Sequence, residues 1–332
     1  MTSRIAVTRK LPPLGEQMLD DLNTSGAYEV WRWQEDLPPD AAALAELLSG
    51  ADGAITLLTE TLDGALLDRH PDLKVISNLA VGYDNIDVEA ATERGIAVCN
   101  TPGVLTDATA DLAFALLMAT ARRLPEAQTY VRDDQWKTWS PTLLLGQELT
   151  GATVGVVGFG RIGREFARRA TGFRMRILAF DLFPDQNAAD ELGVSFVSLE
   201  ELLRESDFVS LHCTLTPETH QLIGARELGL MKKSAILINA ARGPVVDTDA
   251  LVAALRTGEI WAAGLDVTDP EPIRGDHPLA GLPNCVVVPH IASGTIATRN
   301  AMAKIAIENC VAVLEGLQPV ACVNWEALHT SS

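Results

Sequence analysis

The sequence predicts an α/β protein of two domains, each a parallel sheet covered by helices, with the second domain inserted into the first. Three observations carry this. Short β-type runs alternate with helical patterns along the whole chain, which argues for parallel sheets with helices on both faces. The chain has 332 residues, beyond the roughly 250–300 at which one hydrophobic core stops growing. A glycine-rich turn falls mid-chain, at Gly158–Gly163, so a domain built around it interrupts the one begun at the N-terminus. Residues 1–100 and 291–332 are assigned to the outer domain, and residues 101–290 to the inserted one.

In the outer domain, strands are read at Ile5–Thr8, Tyr28–Trp33, Ala54–Leu58, Val75–Leu79 and Ile96–Cys99. Helices are read between them, at Leu14–Leu22, Asp40–Leu48, Asp63–Arg69 and Val88–Arg94. Asp107–Arg123 is rich in Ala and Leu and free of Gly and Pro, as a long helix requires. Glu126–Asp134 follows as a second helix, then a loop with Trp136, Trp139 and Pro141. A new series of strands starts at Thr153–Val157 and continues at Met175–Phe180, Phe208–Leu211, Ile236–Asn239, Ala262–Asp266 and Val286–Val288. A last helix, Ile296–Leu314, has room to return to the outer domain.

Charge and cysteine content narrow the partners. With 44 Asp+Glu against 26 Lys+Arg the net charge is −18, a surface that repels phosphate backbones and anionic lipids. Neither nucleic acid nor a membrane is an expected partner. Five cysteines (Cys99, Cys213, Cys285, Cys310, Cys322) are scattered without a CxxC. That pattern argues against a disulfide framework or a metal site and for a reducing compartment. The N-terminus lacks the apolar core of a signal peptide, and the apolar run Leu112–Ala121 is shorter than the ~20 residues of a membrane span. A cytoplasmic location is expected.

The glycine turn has the context a phosphate site needs. Gly158-Phe159-Gly160-Arg161-Ile162-Gly163 directly follows the strand Thr153–Val157. Gly160 lets the backbone approach a pyrophosphate at a helix N-terminus, and Gly163 permits close helix–strand packing. Alone, the motif is equally a structural glycine turn. Asp181 ends the next strand, where a carboxylate can accept hydrogen bonds from a ribose diol. Leu182, Phe183 and Pro184 follow it and offer no cation for a 2′-phosphate, so NAD is favoured over NADP. The alternative ligand, S-adenosylmethionine, leaves the next groups without a task.

Reduction of a carbonyl by hydride needs a proton donor, a group that keeps the donor charged, and a cation if the substrate is an acid. His290, Glu271 and Arg242 each follow a predicted strand, where ligands of open α/β sheets bind. By spacing alone, Arg242 could be an ion-pair residue and Glu271 an ordinary loop carboxylate. Of the other histidines, His70 and His277 read as loop residues, His220 as solvated, and His212 as a strand-end residue beside the cofactor.

Val81-Gly82-Tyr83-Asp84-Asn85-Ile86-Asp87, the stretch Asn100–Asp111, the glycine loop and the surroundings of Arg242, Glu271 and His290 together resemble the D-isomer-specific 2-hydroxyacid dehydrogenase family. The likeness spans nearly the whole chain. Trp136-Lys137-Thr138-Trp139 and Asp266–Pro272 make it most similar to the glyoxylate/hydroxypyruvate reductase branch. The resemblance implies two Rossmann/flavodoxin-like domains, the inserted one binding NAD and the discontinuous one binding substrate, with the active site in the cleft of a homodimer subunit. It implies that Arg242, Glu271 and His290 form the catalytic set. Arg242 then forks onto a 2-oxo acid carboxylate, a pairing Lys does not copy. A histidine of ordinary pKa, ~6.5, is mostly neutral at pH 7, and Glu271 favours its charged, proton-donating form. The resemblance also assigns the Val81 and Gly82 backbone, Leu105, Ser293 and Trp139 to the substrate, with Trp139 either reaching a neighbour's site or packing on a dimerisation arm. It assigns Thr109, Arg161, Ile162, Thr214, Ala240, Asp266 and His290 to the dinucleotide, beside Gly158, Gly160, Gly163 and Asp181. The implied reaction is NADH-dependent reduction of glyoxylate or hydroxypyruvate. Phosphoglycerate and D-lactate dehydrogenases are the alternatives. Phosphonate dehydrogenases carry Lys where Val81 stands, and formate dehydrogenases carry Gln where Glu271 stands. An NAD-sensing corepressor shares the scaffold and is the non-enzymatic alternative.

Overall fold

The computed structural model describes residues 2–329. Its contacts divide the chain into two units, one running to Leu105 and resuming at Gly294, the other comprising Thr106–Ser293.

The first unit opens with β1 (Ser3–Val7), α1 (Pro13–Thr24), β2 (Tyr28–Arg32), α2 (Ala41–Leu48), β3 (Gly53–Thr56), α3 (Gly64–Leu67), β4 (Val75–Asn78), α4 (Val88–Glu93) and β5 (Ala97–Cys99). Its five strands pair in parallel in the order β2-β1-β3-β4-β5. β3, β4 and β5 are buried along their whole length, which is why they read as apolar runs rather than alternating ones. Aspartates start α2, α3 and α4: Asp40 accepts from the N–H groups of Ala42 and Ala43 at 3.0 and 2.8 Å, satisfying donors that the first turn leaves unpaired. His70 is a loop residue, as expected, but not an exposed one. It lies in the turn after α3 but its side chain is buried, at 6% exposure, because Leu67 and Leu73 fold the turn onto the core through its backbone.

The second unit begins with α5 (Thr106–Ala121) and α6 (Leu124–Arg132), then β6 (Thr153–Val157), α7 (Arg161–Thr171), β7 (Arg176–Phe180), α8 (Gln186–Leu192), β8 (Val194–Phe196), α9 (Leu199–Glu205) and β9 (Phe208–Leu211). It continues with α10 (Ala225–Leu230), β10 (Ile236–Asn239), a 3-10 turn at Gly243–Val245, α11 (Thr248–Thr257), β11 (Ala262–Leu265), α12 (Pro278–Gly281) and β12 (Cys285–Val287). The seven strands are parallel in the order β12-β11-β10-β9-β6-β7-β8. One face is covered by a core that includes Phe114, Leu117 and Phe166, the other by one that includes Leu202, Leu237 and Leu251. β7 and β9 flank β6 on opposite sides, so the winding direction reverses at β6 and opens a crevice beyond its C-terminal end. β8 has no counterpart among the expected strands. Its residues are Val, an exposed Ser and a partly buried Phe, which leave no apolar run of the kind that marks the equally short β5 and β12.

The chain returns to the first unit with α13 (Ile296–Leu314) and α14 (Trp325–His329). Ser77 in β4 donates to Ala306 O in α13 at 2.7 Å. The unit boundaries fall a few residues beyond those read from the sequence, and hydrogen bonds account for both shifts. Thr101 N–H donates to Ala80 O at 2.8 Å and Asn309 Nδ2 to Asn100 O at 3.1 Å, which keeps the segment after β5 in the first unit. Asp266 accepts from the N–H groups of Ile291 and Ala292, which keeps those residues in the second.

Candidate active site

The glycine loop closes the strand–helix joint of β6 and α7. Gly158 has φ +91°, and a Cβ there would lie 2.5 Å from Cys213 N; only glycine adopts that conformation in that space. A Cβ on Gly163 would overlap Gly158 O, so α7 leaves the strand as closely as the backbone allows. Gly160 is the N-cap of α7, gives it no side-chain cap, and a Cβ there would meet nothing within 4 Å. The first-turn N–H groups, with Arg161 and Ile162 among them, thus face an open cradle with the positive end of the helix behind it. This fits the pyrophosphate of a dinucleotide. Asp181, after β7, accepts from Phe159 N–H at 2.6 Å through Oδ2 and from Phe183 N–H at 2.8 Å through Oδ1. It therefore also braces the glycine loop, a task its spacing did not reveal, and each oxygen keeps a lone pair for a ribose hydroxyl. Thr109 and Ala240 are buried, and Thr214, held by Thr219 at 2.6 Å, is exposed.

Three further loops leave the same end of the sheet, from the adjacent strands β10, β11 and β12. Nδ1 of His290 and Oε1 of Glu271 lie 2.6 Å apart. Thr268 N–H donates to the other Glu271 oxygen at 3.3 Å. Arg242 lies close enough for its charge to act on Glu271, and its turn is splinted by Asn239. That side chain donates to Arg242 O at 2.9 Å and accepts from Ala241 N–H at 3.0 Å. The structure thus brings Arg242, Glu271 and His290 together within the second unit.

Two supports of this cluster were not read from the sequence. Gly243 lies backbone to backbone on Thr268, whose C=O a Cβ would overlap, so the Arg242 turn and the Glu271 loop share one van der Waals layer. His290 itself sits at φ +50°, a left-handed conformation costing roughly 1–2 kcal/mol for a residue with a Cβ. Asp266 holds it there. Its C=O accepts from His290 N–H at 2.9 Å, and its carboxylate from Ile291 and Ala292 N–H at 2.7 and 3.1 Å. Asp266 is 1% exposed, and burial raises its carboxyl pKa against the pull of those two donors.

Burial also pushes the Glu271 carboxyl up, but the His290 hydrogen bond and charge, the Thr268 N–H and the Arg242 charge together leave it below its ordinary range. A carboxyl lowered by folding stabilises the fold above its unfolded pKa, and that contribution disappears as pH falls through the folded value. Melting temperatures measured from pH 7 to pH 3 are expected to fall less steeply for Glu271→Gln than for the parent; identical slopes would show that the pair does not form. His212, by contrast, is pushed down to about 3 by burial. Its ring lies 4.9 Å from Phe166 and hydrogen-bonds Ser210. It is a neutral aromatic filler behind the glycine loop.

The remaining expected residues are placed as follows. In the first unit, Asn100 Nδ2 donates to Val81 O at 2.8 Å and Asn78 Nδ2 to Gly82 O at 3.1 Å, fixing that loop, and Leu105 is buried. In the second, Ser293 is nearly buried and Trp139 is 77% exposed. Among the described residues no group of three or more His, Cys, Asp or Glu is arranged to hold a metal ion, and no helix is long and apolar enough to cross a membrane.

Comparison with known proteins gives the arrangement its context. A family profile described as "D-isomer specific 2-hydroxyacid dehydrogenase, NAD binding domain" matches residues 114–292. A curated protein named glyoxylate reductase from Korarchaeum cryptofilum is 47% identical over 329 residues, 99% of this chain and 98% of its own. A crystal structure of a Thermus thermophilus protein is 50% identical with a TM-score of 0.89, covering 96% of this chain and 99% of that one. An NADPH-dependent glyoxylate/hydroxypyruvate reductase from Sinorhizobium meliloti, solved with NADP and malonate, is 33% identical with a TM-score of 0.85 over 97% of each chain. A profile match over more than half the chain, joined to relatives of this identity and coverage, means that the chain belongs to the D-isomer-specific 2-hydroxyacid dehydrogenase family and is an oxidoreductase that uses a nicotinamide cofactor.

Proposed function

We propose that the protein reduces small 2-oxo acids, glyoxylate and hydroxypyruvate first, to the corresponding D-2-hydroxy acids with NADH. The observation that carries the reading is the 2.6 Å pair of His290 and Glu271, set beside Arg242 at the ends of three adjacent strands. When bound, the reduced cofactor supplies a hydride to the carbonyl carbon. The protein's own groups do the rest. Glu271 occupies Nδ1 of His290 and fixes the ring, so Nε2 is the nitrogen that donates a proton to the carbonyl oxygen and takes it back in the oxidation direction. Glu271, held below the ordinary carboxyl range, keeps a carboxylate opposite Nδ1 at neutral pH. Arg242 anchors the substrate carboxylate through its planar fork. The roles of Val81, Gly82, Leu105, Ser293 and Trp139 toward the substrate rest on the family resemblance.

NADH is favoured by Asp181, whose carboxylate repels a 2′-phosphate, and by Leu182, Phe183 and Pro184 after it. Arg164 is engaged by Asp185 at 2.9 Å and by Phe159 O at 3.0 Å. A homodimer is supported by large apolar side chains left exposed around α6 and the loop after it: Leu124, Val131, Trp136, Trp139 and Leu145. Steady-state kinetics with glyoxylate, hydroxypyruvate, pyruvate and phosphohydroxypyruvate, each with NADH and NADPH, test the reading. Highest kcat/KM for glyoxylate or hydroxypyruvate with NADH supports it, and a preference for either of the other acids or for NADPH overturns the corresponding part.

Arg242→Lys separates anchoring from cofactor binding. Losing the bidentate fork should raise KM for the 2-oxo acid by roughly 100-fold, about the worth of a charge-assisted hydrogen bond to a buried partner. NADH affinity, measured by fluorescence titration, should change less than threefold. Equal losses in both would remove Arg242 from the anchor role.

A further inference from the structure

The first unit holds a pair of thiols that the proposed chemistry does not use. Cys99 ends β5, and Cys322 lies opposite it in an isolated antiparallel bridge formed by the segment between α13 and α14. Val323 N–H donates to Val98 O at 2.7 Å, so the hydrogen bond flanks the cysteine pair instead of joining it. Residues paired in that way have Cα atoms about 4.5 Å apart with their side chains close on one face. That spacing lies inside the roughly 4.4–6.8 Å a disulfide spans. Cys322 Sγ donates to Asn324 Oδ1 at 3.4 Å, and both thiols of the pair are free of any disulfide.

Buried asparagines hold the register. Asn324 accepts from Val98 N–H at 2.8 Å and donates to Ile96 O at 2.9 Å. Asn309 accepts from Ala321 N–H at 3.1 Å and donates to Asn100 O at 3.1 Å. Cys322 is half-buried, whereas Cys99 is wholly buried. A dissolved oxidant therefore meets Cys322 first and finds Cys99 behind it, the order required of an attacking and a resolving thiol.

We propose that Cys99 and Cys322 form a dithiol site that takes up an oxidant of the peroxide or low-molecular-weight disulfide class and closes into a cross-strand disulfide. The Cys322 thiol ionises and its thiolate attacks a peroxide oxygen, breaking the O–O bond; the departing hydroxide takes up the released proton as one water and leaves a sulfenic acid. The Cys99 thiol then attacks that sulfur and expels the hydroxyl as a second water, so two thiols are oxidised to one disulfide as one hydrogen peroxide is reduced. With oxidised glutathione the same pair exchanges through a mixed disulfide and releases two glutathione thiols. The neighbouring Cys99 and the backbone around Cys322 hold its thiol below its ordinary pKa despite burial, which favours the attacking thiolate. Cys310 is the third thiol nearby, but it is fully buried and its sulfur packs toward Gly53 in β3.

The crosslink clamps the C-terminal segment to β5, next to Asn100, the residue whose side chain holds Val81 O. Its test does not depend on the catalytic reading. The full chain is treated with graded hydrogen peroxide or oxidised glutathione, and thiols are titrated in denaturant before and after dithiothreitol. The expected result is a loss of two of the five thiols, reversed by dithiothreitol, with peptide mapping that joins the Cys99 and Cys322 peptides. Melting temperature should rise by roughly 5 °C in the oxidised form. Cys322→Ser, at a half-buried position, should abolish the link, and Cys310→Ser should leave it intact. All five thiols persisting at every oxidant concentration, a link through another cysteine, a link that survives Cys322→Ser, or an unchanged or lowered melting temperature would each overturn the proposal.

Discussion

His290→Ala is expected to lower kcat by roughly 10²–10⁴-fold, the usual contribution of a positioned proton donor, while dinucleotide affinity stays within about threefold. The asymmetry follows from how the residue is held. Its left-handed backbone is fixed through its own N–H and the carbonyl of Asp266 at 2.9 Å, bonds that alanine keeps. Asp266 continues to hold Ile291 and Ala292 through its carboxylate, so the loop after β12 retains its course. What is lost is the ring, its 2.6 Å partner contact with Glu271 and the Nε2 that faces the substrate in the proposed reaction. Single-turnover absorbance at saturating cofactor reads the chemical step, and fluorescence titration reads the binding. Turnover within tenfold of the parent would exclude His290 as the proton donor.

Gly243→Ala should be almost as damaging without touching any reacting atom. A methyl group there overlaps the C=O of Thr268 and would lie 2.7 Å from Asp269 N. These are backbone atoms and cannot swing aside as a side chain would. The turn carrying Arg242 and the loop carrying Glu271 must therefore separate, by an amount of the order of 1 Å. Misplacement on that scale can cost roughly 100-fold in rate, and overpacking should lower the melting temperature by roughly 5 °C. Gly275→Ala is the matched control, because a Cβ at Gly275 meets nothing within 4 Å. If the two variants have the same kcat/KM and melting temperature, the Gly243 contact does not position the site.

Periodicity exposed most of the architecture because parallel strands buried on both faces leave apolar runs that need no tertiary information. Thr153–Val157, Phe208–Leu211, Ile236–Asn239 and the helix Ile296–Leu314 are found where the sequence predicts them. The short edge strand Val194–Phe196 escaped because exposed Ser195 interrupts it and leaves no apolar run. The glycine loop and Asp181 were legible because phosphate binding imposes a local order of strand, turn, helix and acid. The convergence of Arg242, Glu271 and His290 was suggested by family motifs and not by spacing. The supports of the site were illegible for a different reason. Asp266 grips residues 291 and 292, and Gly243 rests on Thr268. Each contact joins residues distant in the chain, and nothing in a one-dimensional pattern distinguishes them from ordinary loop residues.

The placement of β12 has one more consequence. It is the outermost strand at its end of the seven-stranded sheet, paired with β11 alone, and its three residues are only partly buried while those of β11 are buried throughout. Segments with a single neighbour and little buried surface open at lower free energy than the whole molecule. The imidazole is thus tethered to the margin of the sheet, where brief fraying can uncouple it from its carboxylate while the interior stays native. Thermal inactivation and global melting need not coincide in such an arrangement, and the gap between them is governed by how firmly Asp266 grips the segment that β12 leads into.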